Sequence, residues 1–167
     1  QPAASCANSC TNVMISFEAN KNIKPSTIKK GSIKLLKCRE ENCLSGTTVN
    51  IAVAEPLEPV NRVEFSNTLQ PNSWYQVTVL GDASGLIAVD GELLAVPSYS
   101  WKFKTGNTVC GVSRIDVAPA GGLLYGGASY EYRARAYSKA NSCESSGQQI
   151  PGKFIWGDAV RTAGGTV

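Results

Sequence analysis

Two short runs that alternate apolar and polar side chains constrain this chain most. Residues 74–80 read WYQVTVL, with Tyr75, Val77 and Val79 in one phase. Residues 99–105 read YSWKFKT, with Trp101 and Phe103 in one phase and Lys102 and Lys104 in the other. Side chains alternate across a pleated strand, so this pattern predicts two half-buried strands of a sheet. Gln70, Pro71 and Asn72 supply turn chemistry before the first run, and Thr105, Gly106 and Asn107 end the second. The loop between them is rich in Gly, Asp and Ala.

The same period recurs along the chain. Residues 12–18 carry Val13, Ile15 and Phe17 on one face. Pro25, Ser26, Thr27 and Ile28 predict a turn or one helical turn begun by Pro. Strands are expected at 32–38, at 47–54 with Val49, Ile51 and Val53 aligned, and at 60–66 with Val63 and Phe65 inward. Pro56 and Pro59 interrupt the ladder between the last two, because Pro has no N–H to donate. Beyond residue 107 the pattern restarts. Residues 112–118 carry Val112, Ile115 and Val117, and residues 130–137 carry Tyr130, Tyr132, Ala134 and Ala136 on one face. Phe154, Ile155 and Trp156 are read as the start of a further strand. No window holds an i, i+3, i+4, i+7 pattern over ten residues. Short strands divided by Gly, Pro and Asn point to an all-β sandwich.

Composition agrees. Of 167 residues, 43% are hydrophobic, enough for a packed core, and only 17% are charged. The net charge is +3. Its densest stretch, Lys21, Lys24, Lys29, Lys30, Lys34 and Lys37 followed by Arg39, Glu40 and Glu41, contains no aromatic residue. A nucleic-acid surface interleaves basic residues with stacking rings. The stretch is therefore read as a solvated edge strand guarded by Lys, and no nucleic-acid partner is expected.

Six Cys and no His favour disulfides over zinc. Fifteen connectivities are possible in principle. Local spacing suggests Cys38 with Cys43, around a polar turn, and Cys110 with Cys143, which leaves Cys6 with Cys10; pairing among Cys6, Cys10, Cys38 and Cys43 stays open. Disulfides imply an oxidising compartment. No 18-residue apolar run is present, so no membrane span is expected. Gln1, Pro2, Ala3, Ala4 and Ser5 read as a mature terminus left after leader removal.

The stretch L-x-P-x-x-x-Y-x-V-x-V, an Asp-Gly and Leu-Leu loop, and then Y-S-W-K-F-K-T-G resembles the last half of the bacterial Ig-like domains of surface-layer and cell-surface proteins. The resemblance covers roughly residues 10–107. A weaker V-x-V-x-P, Y-x-A-x-A and F-x-W series over residues 110–157 resembles the front of a second such repeat. Residues 1–11, small and polar with two Cys, read as an N-terminal tether or donor segment; the resemblance implies an Ig-like β-sandwich (12–107) and a second, partial Ig-like module (108–167). The family is mostly structural and implies no catalytic residues and no cofactor.

Other chemistry is thinly supported. Asp82, Asp90 and Glu92 in the 81–98 loop are candidate calcium ligands, but their spacing does not fit a calcium-loop pattern. Nucleophilic catalysis needs a base, and there is no His and no G-x-S-x-G. Glu40 and Glu41 are adjacent and point apart, which makes them poor acid/base partners. Tyr75, Trp101 and Trp156 fall on apolar phases and read as core. Trp74 and Tyr99 are read on the opposite phase, as the only plausible sugar platform.

The expectation is a non-enzymatic, secreted structural module of a cell-surface layer, fibre or pilus-like filament, partnered by itself or by neighbouring repeats. Three strands after residue 107 leave an open edge. One explanation is strand exchange, with residues 1–11 of the next copy, or the strand after them, as donor; the other is a truncated repeat. The alternative function is an adhesin or glycan-binding module.

Overall fold

The phase read at 74–80 sets the core. In a computed structural model, which describes residues 6–29, 31–51, 53, 56, 59–118 and 132–156, Tyr75, Val77, Val79, Trp101 and Phe103 are all buried. The strands are β1 (Met14–Ile23), β2 (Ile33–Cys38), β3 (Gly46–Val49), β4 (Val60–Ser66), β5 (Trp74–Leu80), β6 (Ser98–Lys104), β7 (Arg114–Ala118), β8 (Arg133–Tyr137) and β9 (Gln149–Ile150). A single 3-10 turn, Pro25–Thr27, has Pro at its start as expected, and no α-helix occurs among the described residues.

The protein is an all-β sandwich. β1 pairs antiparallel with β4, and β3-β2-β5-β6 form the facing sheet. Ile15, Phe17, Val63 and Phe65 of the first join Leu35, Tyr75, Val77, Trp101 and Phe103 of the second in one buried cluster. Opposite one another on β5 and β6, the Tyr75 and Phe103 rings stack at 5.7 Å. Each such side chain contributes about 1.5–3 kcal/mol on burial. The turn at Pro71 and Asn72 has Asn72 at φ 49°, a left-handed conformation that Asn tolerates.

Several boundaries differ from expectation. β1 runs on to Ile23, because the 81–97 loop supplies a partner: Ile23 bridges Ala88, Lys24 N donates to the Ile87 carbonyl (2.8 Å), and Val89 N to that of Asn22 (2.9 Å). β3 stops at Val49 rather than 54. There the Asn50 carbonyl accepts the Asn67 side-chain amide (2.8 Å), and Ile51 and Val53 are only half-buried. Lys34 and Lys37 do not guard an edge, since β3 and β5 flank β2 on both sides.

A three-stranded sheet, β7-β8-β9, follows. Tyr130 lies outside the described residues. Phe154, Ile155 and Trp156, read as the start of a strand, form none among the described residues; the pairing partner of β8 is Gln149–Ile150 instead, and Pro151, which cannot donate to a ladder, follows it directly. Trp156 is therefore not core but 59% exposed. Val112, Ile115 and Val117, read as a strand face, are exposed as well.

Residues 6–11, read as a free tether, are built into the fold. Ser9 forms a parallel bridge with Thr105 at the end of β6. Lys104 N donates to the Cys6 carbonyl, Ser9 N to that of Lys104 (2.9 Å), and Gly106 N to that of Ser9 (2.8 Å). The segment thus covers part of the β6 edge within its own chain. Ala136 and Ile150 of the last sheet join the same buried cluster as Ile15 and Phe65.

Candidate functional site

The cysteines define how the two halves meet. Cys38 and Cys43 are joined, as their spacing suggests. The other two expected pairs are replaced by Cys6–Cys143 and Cys10–Cys110. The reason is the placement of residues 6–11: once they lie along the end of β6, each cysteine faces the C-terminal segment and not its own neighbour. Hydrogen bonds fix the junction. Asn12 takes the Cys110 N–H on Oδ1 (2.9 Å) and gives Nδ2 to the Cys110 carbonyl (3.0 Å). Gln148, fully buried, accepts on Oε1 from Cys10 N (2.8 Å) and Asn141 Nδ2 (3.1 Å) and donates from Nε2 to Ser9 Oγ (3.1 Å). Gly147 precedes it at φ 83°, and a Cβ there would sit 2.1 Å from the Ser138 carbonyl oxygen. These polar residues were not anticipated, since no local sequence pattern marks them.

The other predicted site residues are dispersed. Trp74 stands opposite Lys104 at one end of the β5–β6 hairpin, and Tyr99 stands opposite Val79 towards the other. Tyr99 also shares the phase of Trp101, its ring 6.0 Å from the indole, whereas Trp74 is on the opposite face beneath the Lys104 ammonium at 5.9 Å. Positions two apart on a strand share a face, so Tyr99 goes with Trp101 and the two rings form no common platform.

The carboxylates of the 81–97 loop separate too. Asp82 Oδ1 accepts from Ser84 N (2.9 Å) and Ser84 Oγ (2.6 Å), and these bonds hold its pKa below the usual carboxylate range. Asp90 and Glu92 both bind Lys21 Nζ at 2.7 Å. No cluster of three metal-ligating side chains occurs among the described residues.

A cleft of about 880 Å³ opens between the β1–β4 pair and the last sheet. Its wall is an ionic clamp centred on Glu64. Arg62 Nε lies 2.5 Å and Arg135 Nε 3.3 Å from Oε1, and Gln149 Nε2 donates to Oε2 at 3.0 Å. Arg62 also donates to Ser16 Oγ (3.0 Å) and Gln149 Oε1 (3.0 Å). Burial opposes ionisation of Glu64, but bonds from Arg62 and Gln149 and the charges of both arginines outweigh it, so the carboxyl titrates below its ordinary range. The clamp ties β4 to β8 and β9. Tyr132 and Trp156 also line the cleft, both substantially exposed.

The remaining candidate is the edge of the last sheet. β7 pairs with β8 through Arg114↔Tyr137 to Ala118↔Arg133, and with no other strand among the described residues. All of its residues are exposed. Ile115 and Val117 occupy one face. On the other, Arg114 bonds Asp116 (Nε to Oδ1, 2.9 Å) and lies 4.5 Å from the Tyr137 ring centroid. No protein-family model matches this chain, and no curated protein matches it.

Proposed function

We propose that the protein is a secreted, non-enzymatic structural module of a cell-surface layer, fibre or filament, and that it associates by strand addition at β7. The observation that carries this reading is the β7 edge, exposed and paired with no strand but β8 among the described residues. Unpaired N–H and C=O groups along a sheet edge are a template for another strand. Residues 6–11 are not the donor, because both of their cysteines are bound within the chain. The donor is β7 of a second copy. Antiparallel pairing about Ile115 sets each Arg114 opposite the other chain's Asp116, two complementary charge pairs flanking an Ile115–Ile115 contact. Such an isologous contact closes as a dimer, and a layer or filament then needs a second contact, which neighbouring repeats of a longer chain would supply.

Three disulfides support an oxidising, extracellular setting. Two features support the Ig-like reading. The β1–β4 and β3-β2-β5-β6 sheets follow the B–E and C′-C-F-G order of immunoglobulin sandwiches. Gln70 N donates to the Tyr75 hydroxyl at 2.9 Å, near the start of β5, in the manner of a tyrosine corner.

Light scattering over a concentration series, with electron microscopy, tests the proposal. Wild type is expected to associate, and Ile115→Lys and Val117→Pro to remain monomeric with unchanged circular dichroism. A wild type monomeric throughout, or variants that associate equally well, would overturn it. A glycan-binding reading is favoured by Tyr132 and Trp156 in the cleft; binding on a glycan array that is lost in Trp156→Ala is its test.

A further inference from the structure

Cys6–Cys143 closes 137 residues, and Cys10–Cys110 closes 100 residues inside that loop. The loops are nested, and their order along the chain decides where tension goes. A pull that enters before Cys6 and leaves after Cys143 follows the shortest covalent path, which is the outer sulfur–sulfur bond. We infer that these two bridges make a load path that carries tension past the sandwich, so that β1 to β8 stay folded while the chain is under force. Without the bridges, the same pull would reach the hydrogen bonds of every strand in turn.

Among the described strands only β9 lies outside the loops. It is held to β8 by the Ala136↔Ile150 and Tyr137↔Gln149 pairs, and to the ionic clamp by the Gln149 contacts with Arg62 and Glu64. Tension on the C-terminal side peels β9 and stops at Cys143. The outer bond is sheltered at its N-terminal end, since Cys6 is buried against the end of β6. The inner bond is a second stop, idle until the outer one opens. This property follows from connectivity and does not depend on association through β7.

Single-molecule stretching of the wild-type chain between two reference domains tests it. In oxidising buffer, extension should be confined mainly to the 24 residues after Cys143, under about 90 Å at ~3.6 Å per residue. A phosphine reductant is then added; with water it converts each disulfide to two thiols and becomes the phosphine oxide. Molecules whose outer bond is reduced first should then lengthen in two steps of fixed order, and those whose idle inner bond is reduced first in one combined step. Of the two steps, the first releases the 37 residues by which the outer loop exceeds the inner, about 130 Å. The second releases the inner loop, about 350 Å. The Cys6→Ser/Cys143→Ser variant should give the first step without reductant. Release of the whole span by wild type before reduction, or the two steps in reverse order, would overturn the inference; neither result bears on whether the protein self-associates.

Discussion

The side-chain amide of Gln148 donates to the Ser9 hydroxyl at 3.1 Å, across 139 residues of sequence. This bond, with the Cys10 N–H and Asn141 amide on its other end, joins the N-terminal segment to the last sheet. Gln148→Leu would leave those donors buried without an acceptor. The expected loss is about 2–4 kcal/mol in urea unfolding, since each orphaned buried group costs about 1–3 kcal/mol.

The disulfides should differ in weight. By loop entropy, the Cys10–Cys110 closure, its ends already brought nearer by the Cys6–Cys143 bridge, contributes about 3–4 kcal/mol and the short Cys38–Cys43 closure about 2 kcal/mol. Paired Cys→Ser variants compared by thermal melting should keep that order. Equal losses would mean that residues 6–11 are not held as described.

Trp101 is buried at the centre of the β5–β6 pairing, and its Nε1 has no hydrogen-bond partner among the described residues. Trp101→Ala should cost about 3–5 kcal/mol. Trp101→Phe keeps a ring and removes the orphaned donor, so its cost should be much smaller, about 1 kcal/mol, because loss of the unpaired N–H offsets lost area. Two-state unfolding of both variants measures the difference.

Glu64 gives the fold an acid limb. Its folded pKa is lowered below the unfolded value of about 4.3. The clamp's contribution is therefore complete above that value and is lost as pH falls through the lower folded value. Stability followed from pH 6 to pH 2 should fall over that window in wild type and fall less steeply in Glu64→Gln.

The sandwich was readable because its strands bury one face. Tyr75, Val77 and Val79 against Trp101 and Phe103 is a period-2 signal that sheet pairing then satisfies. Where burial is incomplete the signal finds the strand but not its exposure: Ile115 and Val117 alternate and form β7, yet on an exposed edge. It misleads at Trp156, which follows a Pro that ends the ladder and is exposed. The junction was opaque for another reason. Its partners lie about 100 residues or more apart, and cysteine parity fits local and long-range pairing equally well. Small polar residues at 6–11 resemble a linker until β6 offers them an edge.

Non-reducing tryptic mapping tests the central claim, that residues 6–11 are fastened to the C-terminal sheet. Cys6 and Cys10 share the peptide 1–21, while Cys110 lies in 105–114 and Cys143 in 140–153. The structure predicts one species in which all three peptides are joined, with fragmentation between Cys6 and Cys10 assigning Cys143 to the first and Cys110 to the second. Peptide 1–21 released with an internal bridge, alongside 105–114 joined only to 140–153, would contradict it.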